Sequence, residues 1–317
     1  MPFLRHSSYK KAPFGQFDGN LQSILPAYRT VLGVSYERER IETSDKDFLD
    51  LDWIDKKSRK LVLLTHGLEG DSTRPYMLGM AKMFSKNGWD VLSWNCRSCS
   101  GEMNRAFRLY NHGEIGDIES VLNYALQKRA YDEVVLIGFS MGGNVSLKFA
   151  SVSQHPSVKK VIAFSSPLEM RTSTAILDFP SRFIYKTYFK KGILPKVKLK
   201  AQMFPDRLSL AEVEAAKTWE EQQYLFFVKI NGYASIDDFY EKGSALNFIP
   251  KLKIPTLIVQ AQNDPMLTAE CSPIQLAENH LFIHLETPRF GGHCGFMLPK
   301  DKEHTWAEYR AWDFVNN

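Results

Sequence analysis

Cysteine is scarce in this chain. Cys96, Cys99, Cys271 and Cys294 are the only four among 317 residues. They show no framework spacing, which argues against a disulfide-stapled secreted scaffold and for a reducing compartment, the cytoplasm. Cys96 and Cys99 have CxxC spacing, but no second ligand pair at similar spacing accompanies them, so loop packing is expected and neither a metal nor a cofactor is. Long apolar runs are missing too. No stretch approaches the roughly 18–20 apolar residues of a membrane span, and residues 1–11 lack the apolar core of a secretory leader. Charge of one sign is not in excess: 40 basic and 36 acidic residues leave +4. With no basic block or arginine-rich arm, nucleic acid is not an expected partner. Internal repeats and low-complexity linkers are absent.

What remains is an ordinary apolar content, 44%, in a chain long enough for a large core. The whole of 1–317 is expected to be a single α/β domain carrying an insertion. Phe48-Leu49-Asp50-Leu51-Asp52-Trp53 alternates with the period of a half-buried antiparallel strand. Leu61-Val62-Leu63-Leu64 then runs apolar without a break, as a strand covered on both faces does. Strands at residues 89–94, 133–137 and 160–164 alternate with helices at 75–87, 117–128 and 144–150, which implies a mostly parallel sheet. From 167 to 250 the alternation stops, and lysines, aromatics and helix formers take over. It resumes with strands at 256–259 and 281–285 and a final helix around 303–315. A helical cap over the sheet's carboxyl edge is the simplest reading of 167–250, with its aromatic clusters (Phe179 to Phe189, Trp219 to Phe227) forming the core of that cap.

Gly138-Phe139-Ser140-Met141-Gly142 follows a buried strand and opens a helix. That is the G-x-S-x-G nucleophile elbow of α/β-hydrolases in the context it requires. The glycines let strand and helix approach closely around a sharp turn. The turn lifts the Ser140 hydroxyl above the sheet, beside a helix N-terminus that favours negative charge. A chance glycine-rich turn is the competing reading. His66-Gly67-Leu68-Glu69-Gly70 follows the first parallel strand, where this fold places an oxyanion loop, so the backbone N–H groups of Leu68 and Met141 are the expected oxyanion donors. His66 precedes the nucleophile and is expected to orient that loop.

A serine hydroxyl needs an imidazole to take its proton, and the imidazole needs a carboxylate to fix its tautomer. Among the histidines after Ser140, namely His155, His280, His284, His293 and His304, only His293 lies in a flexible glycine-rich loop just beyond the last strand. Asp264 sits at the end of the preceding strand, where parallel sheets place catalytic groups. Its rival is Glu169, one strand earlier. Asp178, Asp206, Asp237 and Asp238 fall in the insertion, and Asp301 lies beside the final helix.

Taken together, His66-Gly67-Leu68-Glu69-Gly70, Pro75-Tyr76, Gly88-Trp89 and the run from Asn95 to Arg105 resemble the YheT-like branch of the α/β-hydrolase superfamily. Tyr110, His112, Gly113, Asp117, Gly138 to Asn144, Asp264-Pro265 and Gly291-Gly292-His293 extend the likeness over nearly the whole chain. The resemblance implies an esterase or lipase. Where the family usually has Arg-Gly, this chain has Arg97-Ser98. Arg97, Asn104, Arg105 and His112 are shared marks read as fixing loops. Animal relatives carry an N-terminal membrane anchor that is not seen in this sequence, so no stable membrane anchor is expected. The expected activity is serine-dependent hydrolysis of short- to medium-chain acyl esters, with monoacylglycerols as candidates. Acyl transfer to an alcohol by the same acyl-enzyme, and a non-catalytic binding protein on a hydrolase fold, remain open.

Overall fold

Alternate residues of the run at Leu61 enter two different cores. Leu61 and Leu63 pack with Ile118, Leu136 and Val145, while Val62 and Leu64 pack with Met80, Phe84 and Trp306. A strand covered on both faces has no polar side to offer, which is why its sequence reads as unbroken apolar. The computed structural model describes residues 3–4, 7–301 and 303–317. Met1, Pro2, Arg5 and His6, part of the stretch read for a leader, lie outside the described residues.

The strands are β1 (Phe3–Leu4), β2 (Glu37–Glu42), β3 (Phe48–Ile54), β4 (Lys60–Thr65), β5 (Asp90–Asn95), β6 (Glu133–Phe139), β7 (Val158–Phe164), β8 (Thr256–Val259) and β9 (Ile283–Glu286). They form one sheet in the order β1-β9-β8-β7-β6-β4-β5-β3-β2. The pairs β2–β3 and β3–β5 are antiparallel, and every other pairing is parallel. The helices that matter for the site are α1 (Gly19–Ile24), α2 (Pro75–Lys86), α3 (Gly116–Lys128), α4 (Met141–Ser153), α5 (Met170–Ala175) and α6 (Phe183–Met203). Helix α2 and the C-terminal helix Trp306–Asn316 contribute to one core, α3 and α4 to the other. Between β7 and β8 the described residues hold no strand, only helices and turns.

Two sequence expectations need correction. β3 is antiparallel as expected, but it is buried almost throughout rather than on one face. Its aspartates face into the protein because partners meet them there. Arg40 forks onto Asp50, and Arg38 forks onto Asp52 from the neighbouring strand, while Asn95 donates to Asp52. The aromatic residues of the insertion are not uniformly core. Tyr185, Trp219, Phe226 and Phe227 are buried, but Phe179, Phe183, Tyr188 and Tyr224 are open to solvent.

The loop after β5 is held by a buried cation. Arg97 forks onto Asp117 at 2.8 Å through both Nε and Nη2, and its Nη1 reaches Asp47 at 2.9 Å and Asp45 at 2.8 Å. Asn104 donates to Asp47 and to the Phe48 carbonyl. Ser98, where the resembling family has glycine, stands at φ 61°, a left-handed conformation that glycine adopts freely. Here Asn104 Oδ1 accepts from the Ser98 N–H and holds that turn. Arg97→Met would leave Asp47 and Asp117 buried without their cation. Urea unfolding is expected to show a loss of about 3–5 kcal/mol, and a loss below about 1 kcal/mol would contradict the arrangement.

Candidate active site

Strand β6 delivers Ser140 directly into the first turn of α4, and the backbone there is strained, with φ 53° and ψ −122°. Such a conformation persists only where its surroundings over-determine it. The glycines show how. A Cβ on Gly142 would lie 2.2 Å from the Thr65 carbonyl oxygen, and one on Gly138 would lie 2.2 Å from the Gly142 carbonyl oxygen. The Ser140 N–H donates to the Phe164 carbonyl at 2.8 Å, tying the turn to the end of β7.

Three of the side chains singled out in the sequence meet here. His293 Nε2 lies 2.9 Å from Ser140 Oγ, and His293 Nδ1 lies 2.8 Å from Asp264 Oδ2. Asp264 follows β8 and is buried. Burial works against the His293 imidazolium, but attraction to Asp264 and to Cys294, with hydrogen bonds to both, outweighs it, so the imidazole is held well above its ordinary range. Glu169 is elsewhere: its carboxylate accepts the Arg171 and Thr172 N–H groups and caps α5. The loop after β4 abuts the serine, for a Cβ on Gly67 would come within 3.1 Å of Ser140 Cβ. The N–H groups of Leu68 and Met141 have no hydrogen-bond partner among the described residues. His66 is buried and held down to about 4 by desolvation, hence neutral. Its Nε2 accepts from the Cys96 N–H, so its proton sits on Nδ1 and is donated to the Gly67 carbonyl.

Several supporting residues carry no sequence signal. Gln22 and Ser23 on α1 brace the histidine loop. Gln22 Oε1 accepts from the Gly291 N–H and from Asn263, while Ser23 Oγ accepts from the His293 N–H. These partners lie 241 to 270 residues apart, beyond the reach of any local pattern. Glu69 of the loop after β4, at φ 55°, is tied to the insertion. Lys196 on α6 pairs with its carboxylate at 2.8 Å, Tyr110 donates to the same carboxylate, and Arg74 donates to its carbonyl.

Two hollows open on Ser140. A cleft of about 330 Å³ runs out to solvent between Ile24, Ala27, Leu68, Tyr76, Ile184 and Phe189. A narrower pocket of about 50 Å³ extends under the insertion between Met170, Leu177, Trp219 and Phe227. His112 borders it and is held neutral by burial, down to about 3. Among the described residues no cluster of side chains fit to hold a metal ion is found.

A family model described as "alpha/beta hydrolase fold" matches residues 60–297. The chain belongs to the α/β-hydrolase family. It is similar to YheT of Escherichia coli (strain K12), at 27% identity over 88% of this chain and 84% of that protein. It is also similar to Phospholipase ABHD3 of Mus musculus, at 26% identity over 83% of this chain and 67% of that one. Among solved structures, the Pyrococcus furiosus esterase Pf2001 shares the fold of this α/β-hydrolase with a TM-score of 0.60 and 17% identity, covering 91% of this chain and 97% of that one.

The Asp264 contact sets the titration of His293. Because its folded pKa is raised, the charged pair adds stability below the unfolded value near 6.5, and this is lost as pH rises through the folded pKa. Titration of His293 by NMR is expected to give a midpoint above about 6.5, and Asp264→Asn should bring it down. A midpoint at or below the ordinary value in the unsubstituted chain would contradict this electrostatic reading.

Proposed function

We propose that this chain is a serine carboxylic-ester hydrolase with Ser140 as nucleophile, His293 as general acid and base, and Asp264 as the orienting carboxylate. The observation that carries the reading is the continuous relay from Asp264 Oδ2 through both ring nitrogens of His293 to Ser140 Oγ. A phospholipase among the relatives and an esterase among the structural neighbours support ester chemistry.

Ser140 Oγ attacks the ester carbonyl carbon while its proton passes to His293 Nε2. Asp264 stabilises the imidazolium and keeps the other ring nitrogen as donor. The carbonyl oxygen becomes an oxyanion and accepts from the Leu68 and Met141 N–H groups. One such donor is worth about 10²–10³ in rate, and the N-terminus of α4 favours the same charge. Collapse breaks the bond to the alcohol oxygen, which takes the proton from His293 and leaves. Water then gives a proton to His293 and attacks the acyl-enzyme, releasing the acid and restoring Ser140. No step calls for a cofactor or a metal.

The predominantly apolar wall of the larger cleft supports acyl esters as substrates, of short to medium chain length and with monoacylglycerols among the candidates. Acyl transfer to an alcohol would run through the same acyl-enzyme, with the alcohol in the place of water. Among the described residues no helix is long and apolar enough to cross a membrane.

p-Nitrophenyl esters of graded chain length are expected to be hydrolysed, with Ser140→Ala and Asp264→Asn each lowering kcat by about 10⁴-fold or more. A fluorophosphonate probe should label Ser140. Full activity in Ser140→Ala, or no turnover at any chain length, would sink the proposal.

A further inference from the structure

We propose that the mouth of the cleft docks on a lipid surface bearing anionic headgroups. The feature that points there is one outward stripe of α6. Ile184, Tyr188, Lys191 and Lys198 recur at spacings of four, three and seven, which places them along a single helical face. Its first part is apolar and its second part is basic.

The apolar end is exposed and continuous with the catalytic cleft. Ile184 and Tyr188 line the cleft that descends to Ser140, as does Tyr28, yet they are 50%, 47% and 80% exposed. Phe183, next to Ile184, is 63% exposed. Large apolar side chains gathered at one rim are a meaningful departure for a protein surface, unlike single ones scattered over it. An aqueous opening for a small polar substrate would have no use for them. A surface that accepts aromatic and aliphatic side chains would.

The charge selects the kind of surface. Helix α6 carries Lys186, Lys190, Lys191, Lys196, Lys198 and Lys200 and no acidic residue. Three of these are engaged within the protein: Lys186 with Asp178, Lys196 with Glu69, and buried Lys200 with the carbonyls of Asn104 and Ala106. Lys190, Lys191 and Lys198 have no ion-pair partner among the described residues. Unpaired lysines beside exposed aromatics match a bilayer surface with negative headgroups, where apolar side chains enter the headgroup boundary and basic ones meet the charge. The proposal rests on the ester-hydrolase reading for its purpose. An ester drawn from the lipid would pass along the apolar wall to Ser140 without crossing water.

The test separates docking from chemistry. Ser140→Ala, which needs no turnover, is sedimented with phosphatidylcholine vesicles and with vesicles containing phosphatidylglycerol. It is expected to bind the anionic vesicles at least about tenfold more tightly, with the difference lost at about 1 M salt. Phe183→Asp and the pair Lys191→Glu with Lys198→Glu, each made in that background, should weaken this binding about tenfold. The same substitutions in the active chain should leave turnover of a dispersed water-soluble ester unchanged, which also shows that they fold. Equal binding to both vesicle types, no binding to either, or undiminished binding by the glutamate pair would overturn the proposal. So would light scattering that shows a dimer which Phe183→Asp converts to monomer, since a second copy would then cover the patch. If Ser140→Ala docks but the active chain turns over no ester, only the hydrolase reading fails.

Discussion

Ser140 occupies a backbone conformation, φ 53° and ψ −122°, that an L-residue avoids, and the rest of the site depends on its being held there. The strain costs about 1–3 kcal/mol, and packing must meet that cost locally. It does so through contacts that exclude side chains. Gly142 lies against the carbonyls of Thr65 and His66, Gly138 against Gly142, and Gly143 against Ser166. Strand β6 is flanked by β4 and β7 in the parallel part of the sheet, so the turn is clamped from both sides. On the proposed reading, the N–H groups of Leu68 and Met141 then border one small volume next to the hydroxyl, where the oxyanion forms.

The other side of that volume is supplied from remote parts of the chain. The loop that carries His293 has little regular structure of its own, with Gly291, Gly292, Cys294 and Phe296 all at positive φ. It is fixed by α1 near the N-terminus and by Asn263 beside Asp264. The loop after β4 is fixed in turn by α6 through Glu69 and Lys196. Ser140 is thus braced locally, while His293 and the loop after β4 are braced by elements far away in sequence.

This division explains what the sequence made legible. The parallel strands were readable because burial on both faces leaves an unbroken apolar signature, and the turn at Ser140 because close approach demands glycine. The positions of Asp264 and His293 at strand ends were readable from chain order, and the structure joins Asp264 to His293 and His293 to Ser140. The burial of Asp50 and Asp52 was not readable, because Arg38 and Arg40 neutralise them only once β2 and β3 have paired. Gln22, Ser23 and Lys196 were likewise silent, since each acts through a partner more than a hundred residues away. The aromatics of the insertion misled for a related reason. Helical spacing does not distinguish a face turned to the core from a face turned to solvent.

The central claim is that a covalent acyl group passes through Ser140. The most direct measurement is acid quenching of the protein during turnover of a short-chain p-nitrophenyl ester, followed by mass spectrometry of its peptides. An acyl mass increment on the peptide that contains Ser140, absent when the ester is left out, is the result the account predicts. Steady turnover with no acylated peptide, or an increment confined to another residue, would contradict it.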